Sequence, residues 1–79
     1  MNPFSKAGDF MRIQRGALGL TLQQVADLAG TTRQAVAQWE AGKTAPKTNR
    51  LSALFDALRL TNAQRRELVA AFGGSDGDA

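Results

Sequence analysis

Arg33, Gln34 and Gln38 are the side chains whose type and spacing could do chemistry in this chain. Each ends in a planar group that offers two hydrogen bonds side by side: Arg presents a pair of donors, Gln a donor beside an acceptor. Such pairs match base edges in the major groove of duplex DNA, Arg facing guanine O6 and N7 and Gln facing adenine N6 and N7. Gln34 and Gln38 stand four residues apart and so share one side of a helix. Ala37 lies between them, small enough to let that helix approach and able to touch a thymine methyl. This is chemistry of recognition. With no His and no Cys among 79 residues, the usual general base, the thiol nucleophile, the disulfide and the imidazole or thiolate metal ligands are all missing. Asp9, Asp27, Asp56 and Glu67 show no pairing suited to general acid and base work. The eight Gly are read singly at helix ends or in the tail, not in a phosphate-binding loop. No enzyme activity, cofactor or metal is expected.

Recognition side chains need a rigid support, and the composition says which kind. Fourteen Ala and nine Leu against only four Val plus Ile favour helices over a sheet core. Thr21, Thr31 and Thr61 are each followed three residues later by Gln, at 24, 34 and 64. That is the spacing of the capping box, in which the Thr hydroxyl accepts from a backbone N–H and the Gln reaches back to the cap. Three helix starts are therefore expected, and for Gln34 the capping role competes or coexists with base reading. Gly19, Gly30, Gly42 and Gly73 follow apolar periodic stretches and mark helix ends. Helices are expected at about 5–16, 22–29, 32–40 and 62–72, with a fourth in chain order carrying Leu51, Leu54, Phe55 and Leu58 after Pro46. The core stripes of the others are Ala7, Phe10, Met11 and Gln14; Leu22, Val25, Ala26 and Ala29; Ala35, Val36 and Trp39; and Leu68, Ala71 and Phe72 with Ala63 or Gln64. Leu18, Leu20 and Leu60 tuck connections onto the core.

Residues 21–40 place two helices of about two turns around Ala29-Gly30-Thr31, the pattern of a helix-turn-helix. Ala26 sits where the two helices cross, and Val25, Val36 and Trp39 face the core. Subtraction leaves Arg33, Gln34, Ala37, Gln38 and Ala41 outward, the first two at the helix N-terminus, the end that enters a major groove. Trp39, on the opposite side from Gln34 and Gln38, reads as a core anchor rather than a base-stacking residue. Sequence-independent contacts to phosphates would come from the helix starts at Thr21 and Thr31, from Gln23 and Thr32 beside them, and from Lys43, Lys47, Thr48, Asn49 and Arg50.

The charge supports this placement. Ten Lys plus Arg oppose seven acids, but Asp76 and Asp78 fall in residues 73–79, read as a flexible tail beyond a domain of residues 1–72. Up to residue 73 the ten cations face five acids, a balance of +5. Arg33, Lys43, Lys47 and Arg50 cluster with only Glu40 opposing them, an excess that attracts phosphate or anionic lipid. A merely solvated basic face is the plainer alternative.

As a set, Thr21-Leu22-Gln23-Gln24-Val25-Ala26, Ala29-Gly30-Thr31-Thr32-Arg33-Gln34 and Ala37-Gln38-Trp39-Glu40-Ala41-Gly42-Lys43 followed by Pro46 resemble the Xre and Cro/cI-type helix-turn-helix regulators, which include the small repressors of lambdoid phages. The resemblance spans about residues 9–60. It implies an all-α, five-helix, lambda-repressor-like domain, with base readout by Arg33, Gln34 and Gln38. Phosphate contacts would fall at the start of the second helix, at Lys43 and in the loop before the fourth helix. It further implies a structural ion pair between Arg15 and Glu40. One departure is visible: many members place Gln directly after the cap of the second helix, whereas here Leu22 stands there and Gln23 follows. The cI-type repressors carry a further C-terminal domain, so the chain looks Cro-like, like a stand-alone regulator, or like the DNA-binding part of a longer one cut at a Gly-Ser linker.

The expected function is a sequence-specific transcriptional regulator of bacterial or phage type that binds double-stranded DNA. It is expected to repress as a homodimer, formed in solution or only on DNA, on pseudo-palindromic half-sites about 34 Å apart. Leu60, Val69 and Phe72 would supply the dimer surface unless all three are buried internally. A protein-interaction module of antitoxin or co-activator adaptor type, on the same scaffold, is the alternative. No apolar run approaches the roughly 20 residues that span a bilayer, and Lys6 and Asp9 interrupt any signal-peptide core. The expectation is thus a cytoplasmic or nucleoid location, no membrane and no small-molecule ligand.

Overall fold

The computed structural model describes residues 2–73 and folds them into α1 (Ser5–Ala17), α2 (Leu22–Ala29), α3 (Arg33–Glu40), α4 (Thr48–Ala57) and α5 (Asn62–Ala71). The described residues include no strand, as the shortage of β-branched apolar side chains requires. The tail expected at residues 73–79 lies, apart from Gly73, outside the described residues. Among those described, no helix is long and apolar enough to cross a membrane.

Two of the three capping boxes form as the spacing predicts. Thr21 Oγ1 accepts from the Gln24 amide at 3.0 Å while Gln24 Oε1 accepts from the Thr21 amide at 2.8 Å. Thr61 and Gln64 repeat the arrangement at 3.1 and 2.9 Å. The third does not form, because Thr31 is needed to close α2. Gly30 takes φ +70, and the Thr31 amide turns back to the Ala26 carbonyl at 2.9 Å, the long bond of a Schellman turn. The next residue, Thr32, is the one left extended, and its Oγ1 caps α3 through the Ala35 amide at 3.1 Å. Gln34 is thereby released from capping.

The five stripes meet in one core in which Met11, Val25, Val36, Leu54, Leu58 and Leu68 are fully buried. Each such side chain stabilises the fold by about 1.5–3 kcal/mol relative to exposure. Leu60 and Phe72 are also buried, Leu60 at the turn that ends α4 and Phe72 against Phe4, with ring centroids 5.9 Å apart. Two of the three residues considered for a subunit surface therefore belong to the core, and Val69 packs half-buried against it. The large apolar side chains left exposed are Ile13 and Leu28, at 67% and 61%.

Gly16 falls in the last turn of α1, but Gly8 lies inside that helix rather than at an end, which corrects the sequence reading for that glycine. Gly8 has a packing reason. A Cβ on it would stand 2.3 Å from the Glu40 carbonyl oxygen, so α1 can lie on the end of α3 only without a side chain there. Gly42 is its counterpart, at φ +79 with a would-be Cβ 2.7 Å from the Ser5 Cα. The two carbonyls just past α3 are then satisfied from residues 2–4, by Asn2 Nδ2 on the Ala41 oxygen at 2.8 Å and the Phe4 amide on the Gly42 oxygen at 3.0 Å.

Candidate nucleic-acid interface

The α2–α3 corner aims α3 away from the core. Val36 and Trp39 are buried, and on the opposite side Arg33 and Gln34 are exposed while Ala37 and Gln38 are half-buried. Among the described residues, the side chains of Arg33, Gln34 and Gln38 form no hydrogen bond or ion pair, so their donor and acceptor pairs remain open to a ligand. No acid stands in the first turn of α2, α3 or α4. The partial positive charge at those helix starts is therefore not neutralised locally, and it favours anions.

The residues expected to touch phosphates are not equivalent. Lys43, Lys47, Thr48 and Asn49 are exposed with no partner among the described residues. Lys47 occupies the N-cap of α4 without a side-chain hydrogen bond, which leaves the first N–H groups of that helix open. Thr21 and Thr32 are exposed, but their hydroxyl oxygens already accept cap bonds. Gln23 donates to Asp27 Oδ1 at 2.8 Å along α2, a local bond in the place where the resemblance implies a phosphate contact. Thr31 is half-buried at the edge of an open cleft of about 380 Å³ between the α2–α3 turn and the start of α4, with Trp39, Pro46, Lys47 and Asn49 around it. Arg50 Nη1 donates to the Gly30 carbonyl at 2.9 Å. Nothing in the sequence pointed to that bond or to the cleft, because both join segments far apart in the chain.

Behind the corner, Arg15 and Glu40 form a two-bonded ion pair, Nε to Oε2 at 2.6 Å and Nη2 to Oε1 at 3.0 Å. Arg15 Nη1 also donates to the Leu20 carbonyl at 2.9 Å, so one guanidinium holds α1, the last residue of α3 and the loop entering α2. The hydrogen bonds from Arg15 to the Glu40 carboxylate raise the guanidinium pKa above its ordinary value against the opposing effect of burial, and the charge of Glu40 adds to the rise.

The sequence profile of the helix-turn-helix family matches residues 11–61, from the middle of α1 to the cap of α5. The chain belongs to this family, in its Xre and Cro/cI-type branch. No curated protein is similar enough to match it. The fold is accordingly the all-α, lambda-repressor-like arrangement, and the α2–α3 corner is a DNA-binding helix-turn-helix. Membership gives the Trp39-Glu40-x-Gly42-Lys43 segment a physical meaning residue by residue. Trp39 anchors the core, Glu40 holds Arg15, Gly42 supplies the left-handed turn against Ser5, and Lys43 is left in solvent.

Proposed function

We propose that the chain is a transcriptional regulator that represses by occupying a pseudo-palindromic operator as a homodimer, without catalysis or cofactor. Arg33, Gln34 and Gln38 read base edges in the major groove, with Ala37 against a thymine methyl. Lys43, Lys47, Thr48 and Asn49, together with the starts of α2 and α3, hold the phosphates and fix register. The observation that supports this reading is the outward face of α3, where three planar side chains able to make paired hydrogen bonds have no partner among the described residues. A surface used only to dock another protein would have no call for that donor and acceptor set at the end that enters a groove. The homodimer follows from reach, since one such domain covers only a short half-site.

Fluorescence anisotropy on duplex DNA from upstream of the chain's own gene, against a scrambled duplex, tests the reading at about 50 and 200 mM salt. Discrimination well above about tenfold that survives the higher salt is expected, because base contacts, unlike phosphate contacts, are not lost to counterion competition. Equal binding to both duplexes that vanishes with salt would reduce the basic face to charge attraction alone and turn the search to a protein partner.

A further inference from the structure

The bond from Arg50 to Gly30 does not fit a residue devoted to phosphate. Gly30 is the left-handed C-cap of α2, the point from which the chain swings into α3. Helix C-termini are stabilised by a cation close to their last carbonyls, yet α2 has no basic residue in its last turn. Arg50, twenty residues further on, supplies one. Its Nη1 donates to the Gly30 oxygen at 2.9 Å, and the same nitrogen lies 3.4 Å from where a Gly30 Cβ would be. The Arg50 side chain thus runs from the first turn of α4 to the α2–α3 turn along the cleft they share with Thr31, Trp39 and Lys47.

We infer that Arg50 is a positioning residue for DNA readout: it fixes the α2–α3 turn to α4 and thereby sets the direction in which α3 presents Arg33, Gln34 and Gln38. The backbone closure of the turn, the Thr31 amide on the Ala26 oxygen at 2.9 Å, ties it to α2 alone, whereas Arg50 ties it to α4. Gly30 is exposed, and the Gly30 amide reaches the Asp27 oxygen at a long 3.3 Å. The Arg15–Glu40 pair braces the far end of α3, leaving Arg50 to brace the near end. Base reading by paired hydrogen bonds demands the direction of the helix, whereas attraction to phosphates does not, so the two contributions separate experimentally.

The inference rests on the proposed DNA reading, and the test keeps the two apart. Native-state hydrogen exchange is measured on the full chain and on Arg50→Met and Arg50→Lys, and the same proteins are titrated on the preferred and scrambled duplexes over a range of salt. Arg50→Met is expected to speed exchange of the Thr31 amide by about tenfold through loss of a charged hydrogen bond. It is expected to lower discrimination between the duplexes by about tenfold while leaving the salt dependence on scrambled DNA in place. Arg50→Lys, which keeps a charged donor, is expected to recover part of both effects. Unchanged exchange at Thr31 overturns the inference, and so does a variant that binds both duplexes more weakly in equal measure with a salt slope lower by about one, the signature of a phosphate contact. Failure of the unaltered chain to discriminate would strike at the DNA reading instead, and the exchange rates would still decide whether the tether exists.

Discussion

Three helical corners share one plan, the α1–α2 corner closing through Gly19, Leu20 and Thr21, and two of them, α2–α3 and α4–α5, are used in opposite ways. At the α2–α3 corner Gly30 takes the left-handed turn and Thr32 caps the next helix; at the α4–α5 corner Arg59 takes it, at φ +53, and Thr61 caps the next helix. Both close with the same long backbone bond, from Thr31 to Ala26 at 2.9 Å and from Leu60 to Phe55 at 3.1 Å. The difference lies in what the following helix does with its polar side chains. In α5, Arg65 donates to the Leu60 carbonyl at 3.1 Å and to Asp56 Oδ1 at 2.8 Å, and its guanidinium lies over the Phe55 ring. In α3, Arg33, Gln34 and Gln38 are left without partners among the described residues, and the bracing comes from Arg15 and Arg50 in other elements. A corner that serves itself consumes its own cation, whereas a corner kept open for a ligand must be held from behind.

The largest expected effect comes from removing that outside brace. Glu40→Ala strands the Arg15 guanidinium in a half-buried site and is expected to cost about 3 kcal/mol in urea unfolding. Arg65→Ala, at the other corner, removes the pair with the largely exposed Asp56, the bond to the Leu60 carbonyl and the contact over Phe55, and is expected to cost about 1 kcal/mol. Equal costs would erase the contrast between an external and an internal brace.

Next in size is the effect on reading. Gln38→Ala is expected to lose about 1–3 kcal/mol of preference at one base-pair position, seen in a binding matrix over all single substitutions of the site. Arg65→Ala is expected to leave that matrix unchanged. A matrix altered by the α5 variant and indifferent to the α3 variant would move the interface to the wrong corner.

The smallest effect sharpens the comparison at the turns themselves. Arg59 holds a left-handed conformation that Gly adopts freely, so Arg59→Gly is expected to stabilise the chain by about 1 kcal/mol, read as a higher Tm. No gain would mean that the Arg59 side chain repays its backbone strain with contacts of its own.

How far the sequence could see differs between the two corners for physical reasons. Thr21, Thr61 and the outward face of α3 were legible because capping and the 3.6-residue period are local rules. Thr31 misled because two adjacent Thr can each cap, and the choice between them was made by the Schellman closure of α2. Arg59 was missed because the rule for helix ends looks for Gly, and here Leu60 is carried into the core by a turn with a bulky residue in it. Gly8 was misplaced because its use, the contact with the end of α3, lies between segments about thirty residues apart. The Arg15–Glu40 pair was available only through the family resemblance, and Arg50 on Gly30 was not available at all, since no local pattern encodes a donor twenty residues away.

The central assignment, that the α2–α3 corner meets duplex DNA and the α4–α5 corner does not, is tested most directly by an amide chemical-shift titration of the chain with its preferred duplex at about 150 mM salt. The expected result is a set of large shifts at Thr21, at Arg33, Gln34 and Gln38 and through Lys43 to Arg50, with Arg59, Arg65 and Arg66 little changed. Large shifts gathered on α5, with the outward face of α3 silent, would contradict it.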